Sequence, residues 1–201
     1  MSIRDLPDTT LVKGTGLNSA MIFAENELGQ SVVGRALKDL EPTHGEYQHH
    51  RLPGALNPLP TAAAAWVAVS DLHGGSIAER RVFFQKMGVY IADTNLHGIY
   101  KTLLSLIVNP QRLAKRVPQL WSTYFRGLTV RMDFDDVRSG KLRFDVDGFG
   151  GAPHIGEMAE GWLAFAFGLV GGEEVVATEE ALEAGRPHPG TTMRYHVSWR
   201  V

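Results

Sequence analysis

At Gly127 the hydrophobic pattern of this chain changes its period. Apolar residues recur at helical spacing before it and alternate after it, with Leu128, Val130, Met132 and Phe134 set against Thr129, Arg131, Asp133 and Asp135. Successive strand side chains point to opposite faces, whereas helical ones return every three or four residues, so no single element type satisfies both halves. Ser139-Gly140 turns the chain into a second alternating run, Leu142, Phe144 and Val146 against Arg143, Asp145 and Asp147. The pair reads as an antiparallel hairpin with one face in solvent and one that needs a cover.

The cover is close at hand. After the glycine-rich break GFGGAP, a strongly apolar run from about His154 to Val170 predicts a helix ending at Gly171-Gly172. Two further strands follow, Glu174 to Thr178 and Met193 to Val201, the latter with Met193, Tyr195, Val197, Trp199 and Val201 inward. Upstream, helices are expected over 16 to 28, over a short segment capped by Ser31 and stopped at Glu41-Pro42, over TAAAAWVAVSDL, from the Ser76/Glu79 capping box through Ile91, and from Leu96 to Val108. The expected architecture is α+β: a helical N-terminal half, then a small antiparallel four-stranded sheet with one helix packed on it. One domain spans residues 1–201, with 1–11 as a flexible N-terminal segment and 43–60, rich in Pro and Gly, as a loop or lid.

The stretch NPQRLAKRVPQLWSTYFRG, 109 to 127, joins the two halves. Asn109 is a good N-cap and Pro110 suits the first helical position. Leu113, Val117, Leu120, Trp121 and Tyr124 fall on one face, and Pro118 should kink or divide the helix. The opposite face carries Arg112 and Arg116, the candidates for a partner surface. Aromatics on a core stripe cannot stack on exposed bases, and 20 basic against 22 acidic side chains leave a formal charge of −2. Nucleic-acid binding is therefore not expected. Neither is stable membrane insertion, since no apolar run approaches the roughly 20 residues of a span.

Several chemistries lack their residues. The chain has no cysteine, which excludes disulfides, thiolate metal sites and a cysteine nucleophile and fits a reducing cytoplasm. Of its eight histidines, His44, His49 and His50 with Glu46 form the densest group, a weak metal candidate on a loop without established ligand spacing. His73 and His97 sit at element ends. Gly148, Gly150 and Pro153 fail the dinucleotide-loop pattern at its third position. Asp145-Val146-Asp147-Gly148 lacks the remaining acidic positions of a calcium loop. Ser105, Ser122 and Ser198 have no nucleophile-elbow context. No enzyme activity and no cofactor are expected.

Three segments, VKGTGLNSAMIFAENELGQSVVGRAL, VNPQRLAKRVPQLWSTYF and GEMAEGWLAFAFGLVGG with the final YHVSWRV, resemble a paralogous family of uncharacterised myxobacterial proteins. More distantly the chain is similar to V4R (vinyl-reductase-like) domains, TRAPP subunits and haem nitric-oxide-binding domains. The resemblance implies a helical half and a small sheet enclosing an apolar cavity for a small molecule, a lipid chain or haem, with homodimerisation. It makes Leu113, Val117, Trp121, Tyr124 and Trp162 the pocket candidates. The chain departs from haem-binding relatives: it has no histidine between Asn109 and Tyr124, and Tyr195, Ser198 and Arg200 do not reproduce their Tyr-x-Ser-x-Arg spacing. TRAPP subunits can carry an acyl chain on a cysteine, which is absent here. The expected function is a cytoplasmic, non-enzymatic small-molecule- or lipid-binding or regulatory module acting through protein partners. The alternatives are a haem- or metal-dependent sensor using His97 or His73, and an interaction scaffold with a filled core.

Overall fold

The computed structural model describes residues 3–98, 109–134, 136–149, 151–180 and 192–200. Its helices are α1 (Gly14–Leu28), α2 (Gln30–His44), α3 (Tyr47–His50), α4 (Leu59–His73), α5 (Ile77–His97), α6 (Pro110–Tyr124) and α7 (Ile155–Leu169). Strands β4 (Thr129–Asp133), β5 (Lys141–Asp147), β6 (Glu173–Glu179) and β7 (Thr192–Arg200) form an antiparallel sheet in the order β4-β5-β7-β6. The α+β expectation and the four-stranded sheet are both present. Much of the helix expected from Leu96 to Val108 lies outside the described residues, while Leu96 and His97 close α5.

The sheet follows from its alternation. Met193, Tyr195, Val197 and Trp199 are buried on β7, as are Leu142, Phe144 and Val146 on β5. Tyr195 opposite Phe144 stacks on it with ring centroids 5.3 Å apart. Phe134 departs from the expected inward set: it lies just past the edge strand β4 and is 46% exposed. On the other face, Arg131–Asp147, Arg143–Asp133 and Arg194–Asp145 pair across the strands. Helix α7 lies between the sheet and α5, touching β6 and β7 on one side and α5 on the other.

The α5–α7 contact needs two glycines. A Cβ on Gly88 of α5 would stand 2.0 Å from the Met158 carbonyl oxygen, and one on Gly161 of α7 would stand 1.9 Å from that of Gln85. The two backbones meet where neither presents a side chain.

The N-terminal segment contacts the fold through Leu6 and Thr10. Ile3–Asp5 forms a 3-10 turn, Leu6 and Thr10 are buried, and the Thr10 hydroxyl donates to the Gly148 carbonyl at 2.7 Å. Strand β1 (Leu11–Lys13) pairs with β2 (Leu56–Pro58) and β3 (Phe125–Arg126), a second sheet that alternation over two or three residues cannot announce.

The expected 43–60 loop is an anchored strap. It contains the end of α2, all of α3, β2 and the first residues of α4. Asn57 is buried, and its amide donates to the carbonyls of Val12 and His50. Arg51 forms a two-point ion pair with Glu25 on α1 and also donates to Asn18. Helix α2 runs through Pro42, because in the last turn a proline removes a single helical hydrogen bond. Pro118, in the middle of α6, removes one interior hydrogen bond but does not divide the helix, which is continuous from Pro110 to Tyr124.

Candidate functional site

Helix α6 begins as its sequence dictates, with the Asn109 side chain accepting from the Arg112 amide at 2.9 Å. Leu113, Val117, Leu120, Trp121 and Tyr124 are all buried, while Arg112 and Arg116 are exposed and Arg116 donates to Gln119. The stripe has two parts. Leu113 and Val117 pack into the core and do not reach a cavity; Trp121 and Tyr124, one turn on, stand in the wall of one.

That cavity has a volume of about 60 Å³. Its wall is contributed by Trp66 from α4, Trp121 and Tyr124 from α6, and Trp162, Met158 and Ile155 from α7. Small residues complete its border, Gly16 and Ala20 on α1, Gly88 on α5 and Ala159 on α7. Val12, Ile91 and Phe125 complete the lining. The space persists because rigid aromatic rings border residues too small to close it.

Trp162 meets Trp121 and Tyr124 edge-on, with ring centroids 6.1 Å and 5.9 Å apart. Its Nε1–H donates to the Tyr124 hydroxyl at 3.3 Å. The indole Nε1–H groups of Trp66 and Trp121 are buried without an acceptor among the described protein atoms. A buried N–H left unpaired costs about 1–3 kcal/mol, so two in one cavity's lining residues call for an explanation. Among the described residues the lining contains no Asp, Glu, His, Lys or Arg. Such a wall offers shape and apolar surface, and its described residues supply no acid–base pair for chemistry.

Of the five expected pocket residues, Trp121, Tyr124 and Trp162 come together, and Leu113 and Val117 do not join them. Trp66, Gly16, Gly88 and Met158 were not singled out in the sequence, since nothing in a lone helix pattern tells which buried residues border a gap.

The histidines take other roles. His50 lies within hydrogen-bond distance of Asn57 Oδ1 (2.8 Å) and the His44 carbonyl (2.6 Å), so both its ring nitrogens are engaged. His49 faces solvent beside Glu46, and burial lowers the pKa of His44. Among the described residues no group of three or more His, Asp or Glu side chains is placed to hold a metal ion. The strap turns the side chains of His44, His49 and His50 to different partners. His97 pairs with Asp93 on the surface, and His73 lies against Phe83. Neither lines the cavity.

A buried carboxylate stands apart from the cavity. Glu160 on α7 accepts from Arg81 and Gln85 of α5 and from the Glu179 backbone amide, tying both helices to the end of β6. Its partners satisfy it, which marks it as structural.

No helix among the described residues is long and apolar enough to cross a membrane. No family model matches the chain, and no curated protein matches it. Solved structures do. The unliganded Fe(II) H-NOX protein from K. algicida is 11% identical, covers 94% of this chain and 97% of its own, and has a TM-score of 0.66. A point mutant of the T. tengcongensis H-NOX protein is 12% identical over 94% of this chain and 98% of its own, with a TM-score of 0.58. A structure probing haem distortion in the H-NOX family is 13% identical over 94% and 95%, with a TM-score of 0.56. At these identities the likeness is one of fold, and the chain has an α+β fold similar to that of H-NOX proteins.

Proposed function

We propose that this protein is a ligand-binding sensor or regulatory module that takes a small, largely apolar molecule between α1, α4, α5, α6 and α7. The cavity wall carries the reading: rigid aromatic and small residues leave about 60 Å³ of apolar space open. Apolar cavities of this kind stay dry and admit apolar guests. The reading keeps the chain non-enzymatic and working through a protein partner as a homodimer, which size-exclusion chromatography with light scattering would test. Native mass spectrometry of gently purified protein tests the ligand itself, with a stoichiometric added mass expected. Tryptophan emission should shift on delipidation, since Trp66, Trp121 and Trp162 all border the cavity. Absence of both signals, with no response to added apolar ligands, would leave the filled-core scaffold.

The fold likeness favours a second reading, a haem-dependent sensor. The cavity residues do not fit that group. A porphyrin is several times larger than the space between these rings, and among the described residues no cation lines it to meet the propionates. Its only candidate donors are the Met158 sulfur and the Tyr124 oxygen, which already accepts from Trp162. Haem reconstitution should give no stoichiometric Soret band. A band that disappears in Tyr124→Phe or His97→Ala would reinstate the haem reading.

A further inference from the structure

The two edges of the four-stranded sheet differ. β6 carries the devices that keep an edge from pairing: its register with β7 is broken between Glu173 and Val176, Glu174 takes a left-handed backbone with φ 51°, and Glu173, Glu174 and Glu179 give it one sign of charge. β4, at the opposite edge, has none of them. Its pairing with β5 is continuous from Thr129 to Asp133, it contains neither proline nor glycine, and its two charges, Arg131 and Asp133, cancel. Such a strand turns alternate N–H and C=O groups outward, and among the described residues no strand pairs with that side. Just past its end Phe134 continues the partly buried row of Val130 and Met132, yet is 46% exposed.

β4 is complementary to itself in one register. Antiparallel pairing of two copies about Met132 sets Met132 against Met132, Val130 against Phe134 and Arg131 against Asp133, the last two contacts each occurring twice by symmetry. Residues directly opposite share a face. On the outer face Asp145 and Arg131 of one copy would then be followed by Asp133 and Arg143 of the other, alternating in sign across four strands. Registers centred on Arg131 or on Asp133 would place that residue against itself, like charge on like charge. We propose that β4 pairs with β4 of a second copy about Met132, joining two four-stranded sheets into one of eight strands and covering Phe134 with Val130 of the other copy. This rests on the homodimer reading above and supplies its surface. A five-residue edge buries far less than the roughly 800 Å² per partner of a standard interface, so the dimer should dissociate on dilution.

The test is analytical ultracentrifugation of the full chain over a range of concentrations, in wild type, Arg131→Glu and Asp133→Lys, with circular dichroism of each variant as a check on folding. Wild type should show a concentration-dependent dimer. Each variant alone sets two like-charge contacts across the edge and should dimerise about tenfold more weakly. An equal mixture of the two variants restores opposite charges at both contacts and should return to the wild-type level, a rescue that two misfolded chains could not give each other. A dimer that neither variant weakens overturns the β4 assignment and leaves the homodimer reading standing. Weakening in both variants without recovery in the mixture overturns the register about Met132. A wild-type chain that stays monomeric at every concentration overturns the homodimer reading along with the edge, and leaves the cavity reading untouched.

Discussion

The indole N–H of Trp162 on α7 donates to the hydroxyl of Tyr124 on α6 at 3.3 Å, across the wall of the apolar cavity. Removing the acceptor should expose what that contact is worth. Tyr124→Phe keeps the ring and leaves a third indole donor unpaired in this wall. It should cost about 1–3 kcal/mol in urea unfolding.

The two faces of α6 should respond oppositely. Trp121 contacts Phe125, Phe144, Trp162 and Tyr195, so Trp121→Ala should cost about 3–5 kcal/mol. Arg116 is exposed and bonds only to Gln119 one turn on, and Arg116→Ala should stay within about 0.5 kcal/mol. Thermal or chemical unfolding of the pair decides it. A neutral Trp121→Ala would mean that the aromatic face is not core.

Glycine should behave differently at two helical positions. Gly34 in α2 is exposed with open space around its Cα, so Gly34→Ala should stabilise by up to about 1 kcal/mol through helix propensity. Gly88→Ala has the same propensity gain, yet its methyl would collide with the Met158 backbone. It should destabilise by about 3 kcal/mol or force α5 away from α7. Unfolding midpoints of the two variants should move in opposite directions.

Stability should fall as pH rises toward neutrality because of Glu179. Burial, with the charges of Glu157 and Glu160 adding to it and that of Arg81 opposing, raises its carboxyl to about 7 from the ordinary 4.5. Its Oε2 also sits close against Gly156 in the first turn of α7. Between about 4.5 and about 7 the Glu179 carboxyl therefore holds more of its proton in the folded chain than in the unfolded one. Stability from this group is complete below that window and lost as pH rises through it. Glu179→Gln should gain on the order of 1 kcal/mol at about pH 8, after allowance for partial solvent screening. It should also remove this group's contribution to the slope in the window, against which the partly buried His44 and His154, with lowered pKa, act in the opposite sense, as pH-dependent unfolding of the two proteins would show. Asp145, held down by Arg194, acts in the opposite sense and at lower pH, so the difference between wild type and variant isolates Glu179.

Local rules carried the sequence a long way. The period change at Gly127, the Asn109 cap and the Ser76/Glu79 capping box each depend on residues within a turn or a hairpin, and each is present. The α6 stripe was legible because a helix face is set by spacing alone. Other features depend on partners distant in the chain. The β2-β1-β3 sheet joins segments from three parts of the sequence, and its strands are too short to show a pattern. The 43–60 segment read as a loop from its Pro and Gly content, yet Asn57, Arg51 and Tyr47 bind it to α1, β1 and α4. Periodicity could say that Leu113 and Trp121 are both interior. Only the crossing of α5 and α7 at Gly88 and Gly161, and the small residues Gly16 and Ala20 opposite the indoles, decided that Trp121 borders a gap while Leu113 fills one. A cavity is what neighbouring side chains fail to occupy, and that depends on the packing of helices far apart in sequence.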